Sequence, residues 1–431
     1  MSTTPEAPHG RDAVPAAPAP VEPAPTSPAA SSPALTSSAQ TSSAPTSPAP
    51  RDRFADLLRT LALGAVVVGH WTMAAIGRDD DGGLAVDNIL NIERWMWPLT
   101  WVLVLIPLFF FVGGFSNATS WSRVVERETA RTGRTPSFGR LWGVFLRRRL
   151  SGLFLPLIPF VLLVAVAVGI ALALGAPAGL TRTVAVVVVM PLWFVAVFAA
   201  LAAVAPVMLR LHARYRWWVV VALSVAVVVV ELVRIATDSS AVGTFNYLFV
   251  WGTAQQIGFA YADGSLQRMR RSTVAWWALL AFVALVAVTA SPMWPESMIG
   301  LSGERSNFSP PGTVPLLLTL VQIPVALLLR PVVAPLLERP RVARVLDVAS
   351  GASMRAFLWH LPVMVVVTGV LLLLHVPFPD PGSGAWWASR PLWYAVLGLS
   401  LWGVLAGTDR VRRRAGSGSR PREARERAGS R

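Results

Sequence analysis

Apolar residues in this chain form long blocks separated by short polar or arginine-rich segments. A block of about 20 apolar residues is long enough to cross the hydrocarbon core of a bilayer as one helix. The pattern therefore predicts an all-α fold, a polytopic membrane bundle of about ten transmembrane helices, with prolines interrupting the fourth. The ten blocks are residues 54–76, 96–118, 152–175, 183–209, 217–236, 244–262, 274–290, 313–336, 355–375 and 388–407.

The first block contains three ionisable residues, Asp56, Arg59 and His70. Eleven residues separate Arg59 from His70, and eleven helical steps of about 100° return to within about 20° of the starting direction. Both side chains therefore share one helix face, with roughly 16 Å between them along the axis, and the imidazole is expected deep in the membrane. Ionisable groups at this depth are costly and face a bundle interior or a wet cavity, so this stripe is the predicted active site.

Polar residues in the other blocks are weaker candidates. Each is, taken alone, more typical of helix packing or of membrane anchoring than of catalysis. They are Ser116 and Asn117 in the second block, Arg147, Arg148 and Arg149 before the third, Trp193 in the fourth, Gln255 and Gln256 in the sixth and His360 in the ninth.

The two ends of the chain differ from the middle in composition. Residues 1–50 are mostly Pro, Ala, Ser and Thr, which bury too little apolar surface to offset the entropy of ordering. Residues 409–431 form an arginine-rich tail, which we also expect to be disordered. The predicted membrane domain is 51–408.

The charge of the chain follows the membrane pattern. The net charge is +15, yet the arginines cluster in alternate loops, as the positive-inside rule expects, which argues against nucleic-acid binding. The acidic loop 77–94 belongs to the opposite set, so both termini are predicted to be cytoplasmic. The chain has no cysteine, which excludes thiol catalysis, and no zinc-ligand spacing, so no metal is expected.

These motifs, in this order, resemble the acyltransferase-3 family of integral membrane acyltransferases from about residue 52 to 407. The most specific element is Asp56-x2-Arg59-x10-His70, whose Arg and His are the family's hallmark pair. Many members have a further arginine three residues after the last residue of the arginine pair, where this chain has Gly152. The other similar stretches are PLFFFVGGF at 107–115, RRRL at 147–150, PLWF at 191–194, QQIGF at 255–259 and LWHLP at 358–362.

The resemblance implies a plasma-membrane enzyme that moves an acyl group, often acetyl, from cytoplasmic acyl-CoA to a hydroxyl or amine. The acceptor would be a carbohydrate or an envelope lipid or other envelope molecule, and acyl-CoA would be a substrate rather than a bound cofactor. Neutral His70 would deprotonate the acceptor or form an acyl-His70 intermediate. Arg59 would position the donor, with Asp56 orienting it.

The donor phosphates would lie near Arg147, Arg148 and Arg149 at the inner surface, close to the polar groups of Ser116 and Asn117. Two other classes of function remain open from the residues. A transporter or flippase that moves an envelope precursor without bond chemistry would also need polar residues inside its spans. A non-catalytic scaffold would leave the stripe of Arg59 and His70 without a purpose.

Overall fold

A computed structural model of the chain describes residues 51–78, 84–155, 157–301 and 305–417. The tail expected at 1–50 lies outside the described residues, as do residues 418–431. Two strands, β1 (Ala74–Arg78) and β2 (Leu84–Asn88), pair antiparallel, and a short 3-10 helix covers Arg94–Met96. The described α-helices are α1 Arg53–Met73, α2 Ile89–Ile92, α3 Trp97–Leu103, α4 Ile106–Thr132, α5 Phe138–Phe154, α6 Leu157–Ala173, α7 Ala178–Val189, α8 Leu192–Tyr215, α9 Trp217–Thr237, α10 Ser240–Gly243, α11 Asn246–Ala262, α12 Arg271–Thr289, α13 Thr313–Leu337, α14 Pro340–Leu373 and α15 Gly384–Ser417.

The fold is an all-α membrane bundle, as the sequence predicts. In the described part of the chain, nine helical segments are long and apolar enough to cross a membrane. The remaining predicted span, the sixth (244–262), corresponds to α11, which has 17 residues and is buried along most of its length instead of facing lipid. Helix α11 therefore fills the interior of the bundle.

The relative direction of α1 and α14 supports α11 as a crossing. Arg59 of α1 contacts Ser350 of α14, and His70 of α1 contacts His360 of α14, so the two helices run parallel. Parallel helices require an odd number of crossings between them. Seven predicted spans lie between α1 and α14 when α11 is included, and six when it is left out. A helix of 17 residues is about 26 Å long, which is close to the bilayer core.

Small residues allow α11 to pack closely against α4. A Cβ at Gly114 of α4 would collide with the backbone of Gln255, and a Cβ at Gly258 of α11 would collide with the Phe111 carbonyl oxygen. Close backbone approach through glycine is a common way to pack membrane helices, which lack a hydrophobic driving force between them. The two glycines thus fix the centre of the bundle next to the candidate site.

Several element boundaries differ from the expectation. The predicted fourth span is divided at Pro191 into α7 and α8, whereas Pro206 lies within α8 without ending it. The predicted loop after α1 contains the hairpin of β1 and β2, which the apolar blocks do not indicate. Helix α15 continues to Ser417, so residues 409–417 of the expected tail are helical, and an ion pair from Arg355 to Asp409 anchors this extension.

Candidate active site

One end of α1 carries an ion-pair network that joins it to α14. Asp52 caps the helix by accepting a hydrogen bond from the Ala55 N–H at 3.0 Å. One turn further on, Arg59 Nη2 donates to Asp56 Oδ1 at 2.6 Å and to Ser350 Oγ at 2.5 Å. Arg51 also pairs with Asp56, whose carboxylate is buried. The guanidinium of Arg59 is thereby held in one orientation, with its side chain about one-third exposed (34%).

The other end of α1 carries a pair of histidines. His70 Nδ1 lies 2.8 Å from Nε2 of His360, and the two rings stack with their centroids 5.1 Å apart. His360 is fully buried, and its Nδ1 lies 2.6 Å from the Phe357 carbonyl oxygen. The sequence placed His360 among the weaker candidates, and the structure brings it into direct contact with His70.

These contacts determine which ring nitrogen of His70 is basic. A carbonyl oxygen only accepts, so His360 Nδ1 donates to Phe357 and its Nε2 has a lone pair in the neutral ring. His70 Nδ1 must then donate to that lone pair, which leaves the lone pair of neutral His70 on Nε2. No described residue forms a hydrogen bond with His70 Nε2, so this atom is the available base of the pair.

A cavity of about 270 Å³ lies at the Arg59 end of α1. Three arginines line it, Arg59, Arg148 and Arg149, and Arg149 Nη2 donates to Ser116 Oγ at 3.1 Å. Apolar side chains of α4, α8 and α14 form the remaining wall. A cavity with several positive charges beside apolar surface suits a ligand with phosphates and a less polar arm.

The cavity runs along α4 toward the middle of the membrane. Phe109, Val112, Gly113 and Ser116 of α4 line it, and their spacing puts them on one stripe about 10 Å long. Met354 of α14 lines it as well, whereas the histidine pair does not. Six helical steps separate Met354 from His360, so the wall at Met354 lies about 9 Å short of the histidines along α14.

Gly152 lines the same cavity beside Arg149. A Cβ at this position would meet nothing within 4 Å, so the space next to the glycine is open. Gly152, where the family resemblance leads us to expect an arginine, is therefore part of the cavity wall. The glycine leaves space beside the wall that a side chain would fill.

Four of the predicted site residues lie away from the cavity. Arg147 is exposed on the opposite side of α5. Asn117 is fully buried and donates to Gln255 Oε1 at 2.8 Å, so it packs α4 against α11. Trp193 packs its ring against Phe194 and Tyr247. Asn117, Trp193 and Gln256 therefore make contacts between helices, whereas Arg147 faces away from the bundle.

Gln256 belongs to a second histidine network, which the sequence did not indicate. Gln256 Nε2 lies 2.7 Å from His212 Nδ1, and His212 Nε2 lies 3.2 Å from Asp263 Oδ2. Burial raises the pKa of Asp263, but hydrogen bonds from Ser265 and His212 outweigh this effect and hold it below the ordinary value. Both ring nitrogens of His212 are occupied, so this network ties α8 to the end of α11.

His70 lies nearer the end of its helix than the sequence suggested. It is in the last turn of α1, which ends at Met73, rather than deep in the span. Neighbouring indoles hold this end in place, because Trp71 Nε1 donates to the His360 carbonyl and Trp393 Nε1 donates to the Trp71 carbonyl.

Ser350 is a residue of the site that no feature of the sequence indicates. Its hydroxyl contacts both Arg59 and Asp56, but a serine in a helical segment has no distinguishing spacing. In the described ranges, no three His, Asp or Glu side chains lie close enough together to hold a metal ion.

A family model described as an acyltransferase domain matches residues 52–408 of the chain. The match covers most of the described helices, including both ends of α1, the cavity and the histidine pair. No curated protein and no solved structure matches the chain.

Proposed function

Because the chain belongs to the acyltransferase-3 family, we propose that it is a membrane acyltransferase that uses acyl-CoA as donor, most simply acetyl-CoA. The acceptor would be a hydroxyl or amine of a carbohydrate, an envelope lipid or another envelope molecule. The observation that supports this proposal best is the placement of the arginine-lined cavity and the histidine pair on the same two parallel helices, α1 and α14.

In this proposal the cavity holds the donor. Arg148 and Arg149 bind its phosphates through charge-assisted hydrogen bonds, and Arg59, oriented by Asp56 and Ser350, binds the part nearest α1. The apolar stripe of α4 guides the acyl arm toward the middle of the membrane. The thioester must pass about 9 Å beyond Met354, so donor binding has to extend the cavity toward His360.

The histidine pair performs the proton transfers. His70 Nε2 accepts the proton of the acceptor O–H or N–H as the acceptor atom attacks the thioester carbonyl carbon. The new C–O or C–N bond forms, the C–S bond breaks, and the CoA thiolate takes the proton from His70. His360 positions His70 by accepting from Nδ1 in every state. Attack by His70 Nε2 on the thioester, followed by transfer from an acyl-His70 intermediate, remains the variant of this mechanism.

The orientation of the protein is part of the proposal. A charged donor made in the cytoplasm requires the Arg59 end of α1 to face the cytoplasm, which places both termini there and the β1–β2 hairpin outside. This arrangement agrees with the arginine-rich alternate loops. Labelling of tags in intact cells tests it, and an accessible C-terminus would contradict it.

The experiment that tests the function is transfer by purified protein in lipid vesicles. Vesicles with labelled acetyl-CoA on the cytoplasmic side and an envelope glycan extract on the other should yield labelled glycan and free CoA in equal amounts. A transporter or flippase would instead move the acceptor across without releasing CoA. Movement of unmodified acceptor with no CoA release would therefore replace the enzyme with the transporter.

A further inference from the structure

A second cavity, separate from the donor cavity, opens beside α12 and α13 at the same membrane end. Its volume is about 150 Å³, and we call it the α12–α13 pocket. Arg271 and Val274 of α12, Leu327 and Arg330 of α13, and Gln267 from the turn before α12 line it. The chemistry proposed for acyl transfer uses none of these residues.

A proline of α13 lies at the pocket. Pro331 lines the pocket and has no N–H with which to bond the Leu327 carbonyl, the partner four residues earlier in a regular helix. Prolines within helices bend them and leave a carbonyl exposed. The pocket therefore lies where the backbone hydrogen bonding of α13 is interrupted.

Two arginines of the pocket have no acid partner. Arg271 Nη2 donates only to the Leu328 carbonyl, at 3.3 Å. Arg330 lies over the rings of Tyr261 and Phe54, 5.3 and 5.9 Å from their centroids. Among the described residues, neither guanidinium is ion-paired with a carboxylate. The pocket therefore has two positive charges and hydrogen-bond donors available for an anion.

The surroundings of the pocket are apolar and face outward. Leu329 and Val332 of α13 are 52% and 66% exposed, and Leu280 of α12 is 64% exposed. Such side chains on spanning helices contact lipid tails. A ligand that satisfies both parts of this surface has an anionic group for the arginines and hydrocarbon chains for the adjacent helix faces.

We propose that the α12–α13 pocket binds an anionic phospholipid, with its phosphate between Arg271 and Arg330 and its acyl chains along Leu329 and Val332. Basic pockets between membrane helices are suited to such headgroups. The site is linked to α1, because Tyr261 donates to Asp52, the N-cap of α1, at 2.8 Å. The bound lipid thus supports the base of the helix that holds Arg59.

Native mass spectrometry of the full-length protein in detergent tests the proposal, with phosphatidylglycerol and phosphatidylcholine as probes. Phosphatidylglycerol should bind to one saturable site, and phosphatidylcholine of the same chain length should not. The double variant Arg271→Gln/Arg330→Gln should bind phosphatidylglycerol about thirtyfold more weakly. The control Arg341→Gln/Arg344→Gln removes two exposed arginines near the same membrane end and should bind normally.

Three results would overturn the proposal. Equal binding by the double variant and the control would show that the pocket is not the site. Complete displacement of phosphatidylglycerol by inorganic phosphate would make it a site for small anions, and displacement by acetyl-CoA would make it part of the donor site. An unchanged melting temperature of the double variant in lipid-free detergent shows that weaker binding is not a folding defect.

Discussion

The protein contains two buried histidine networks, and they differ in whether a ring nitrogen remains available. In the α8–α11 network, His212 contacts Gln256 through one nitrogen and Asp263 through the other, so the ring is occupied on both sides. In the α1–α14 network, His360 is occupied on both sides, but His70 uses only Nδ1. A ring with two partners connects helices, whereas a ring with one partner and a free lone pair is also suited to proton transfer.

The contrast extends to the surroundings of the two networks. The α8–α11 network ends at the partly exposed carboxylate of Asp263. None of its residues lines the arginine-rich cavity. The α1–α14 network lies on the same helices as the arginine-lined cavity. Location on a shared pair of helices, rather than the presence of histidine, is what distinguishes a candidate catalytic site from a packing contact.

The largest effect is expected from His70→Ala. Removal of the general base should reduce acetyl incorporation into envelope material roughly 10²- to 10⁴-fold, the usual contribution of acid–base catalysis. The measurement is incorporated label per amount of protein in the membrane fraction. Val68→Ala, at a position on α1 that is 50% exposed, is the matched control and should retain activity. Full activity of His70→Ala would remove His70 from the mechanism.

Replacing His360 should have the next largest effect. His360→Ala leaves the His70 ring without its orienting acceptor, and we expect transfer to decrease roughly ten- to hundredfold, as when the orienting partner of a functional histidine is lost. His360→Gln places an amide oxygen near the position of Nε2 and should recover part of the rate.

The pair of variants separates positioning from simple packing. A positioning role predicts a lower kcat and an altered pH profile in His360→Ala, with little change in KM for the donor. Equal activity of the Ala and Gln variants, with an unchanged pH profile, would make His360 a packing residue like His212.

A smaller effect is expected from Arg59→Lys. Arg59 donates to Asp56 and Ser350 and still faces the cavity, and an ammonium cannot reproduce this planar fork. We expect KM for acetyl-CoA to rise about tenfold, because the loss of one charge-assisted hydrogen bond costs about 1.5 kcal/mol. Arg53→Lys is the control, since Arg53 pairs with Glu338 outside the cavity. Equal KM values in both variants would reduce Arg59 to a membrane anchor.

The smallest effect on activity is expected from His212→Ala. Transfer should stay within a factor of two or three, while the free energy of unfolding falls by roughly 1–3 kcal/mol because buried Gln256 loses its partner. Thermal unfolding in detergent, measured beside the transfer assay, checks both parts. A loss of transfer comparable to that of His70→Ala would abolish the distinction between the two networks.

Acid should weaken the same network. The folded-state pKa of Asp263 is lowered, so its contribution to stability is present above its ordinary pKa and is lost as the pH falls through the lowered value. Asp263→Asn should therefore decrease the melting temperature at neutral pH and change it little at strongly acidic pH. An equal decrease at both pH values would mean that the carboxylate charge is not involved.

The sequence predicted the membrane spans and made Arg59 and His70 stand out as candidates, for a physical reason. Membrane crossing requires long apolar blocks, and an ionisable residue inside such a block is conspicuous, as Arg59 and His70 are. Contacts between distant segments were not predictable in this way. Ser350 and His360 contact α1 although about 290 residues separate them from it in the sequence. A pattern of neighbouring residues contains no information on such a contact.

Composition is a weaker guide to the role of polar residues inside the spans. Helix α11 contains Asn246, Gln255 and Gln256, which lower its hydropathy because their partners are other helices rather than lipid. Asn117 was expected near the donor phosphates. Instead, its side chain donates to Gln255 and packs α4 against α11. A polar residue in a span has the same appearance in the sequence whether it binds a ligand or a neighbouring helix.

In the proposed mechanism, the helix pair α1 and α14 binds the donor at one end and transfers its acyl group at the other. The most direct test measures binding of labelled acetyl-CoA and acyl transfer on the same purified preparations of His70→Ala and of the triple variant Arg147→Gln/Arg148→Gln/Arg149→Gln. We call this variant the cavity triple because Arg148 and Arg149 line the cavity and Arg147 is their exposed neighbour. Arg339→Gln/Arg341→Gln/Arg344→Gln is the control triple at the same membrane end. His70→Ala should bind acetyl-CoA normally without transferring it, and the cavity triple should lose binding and, with it, transfer.

Binding of acetyl-CoA by the wild-type protein should weaken with salt, since exposed charges are screened over ~8 Å at physiological ionic strength. Normal, salt-independent binding by the cavity triple, or loss of donor binding in folded His70→Ala, would contradict the account.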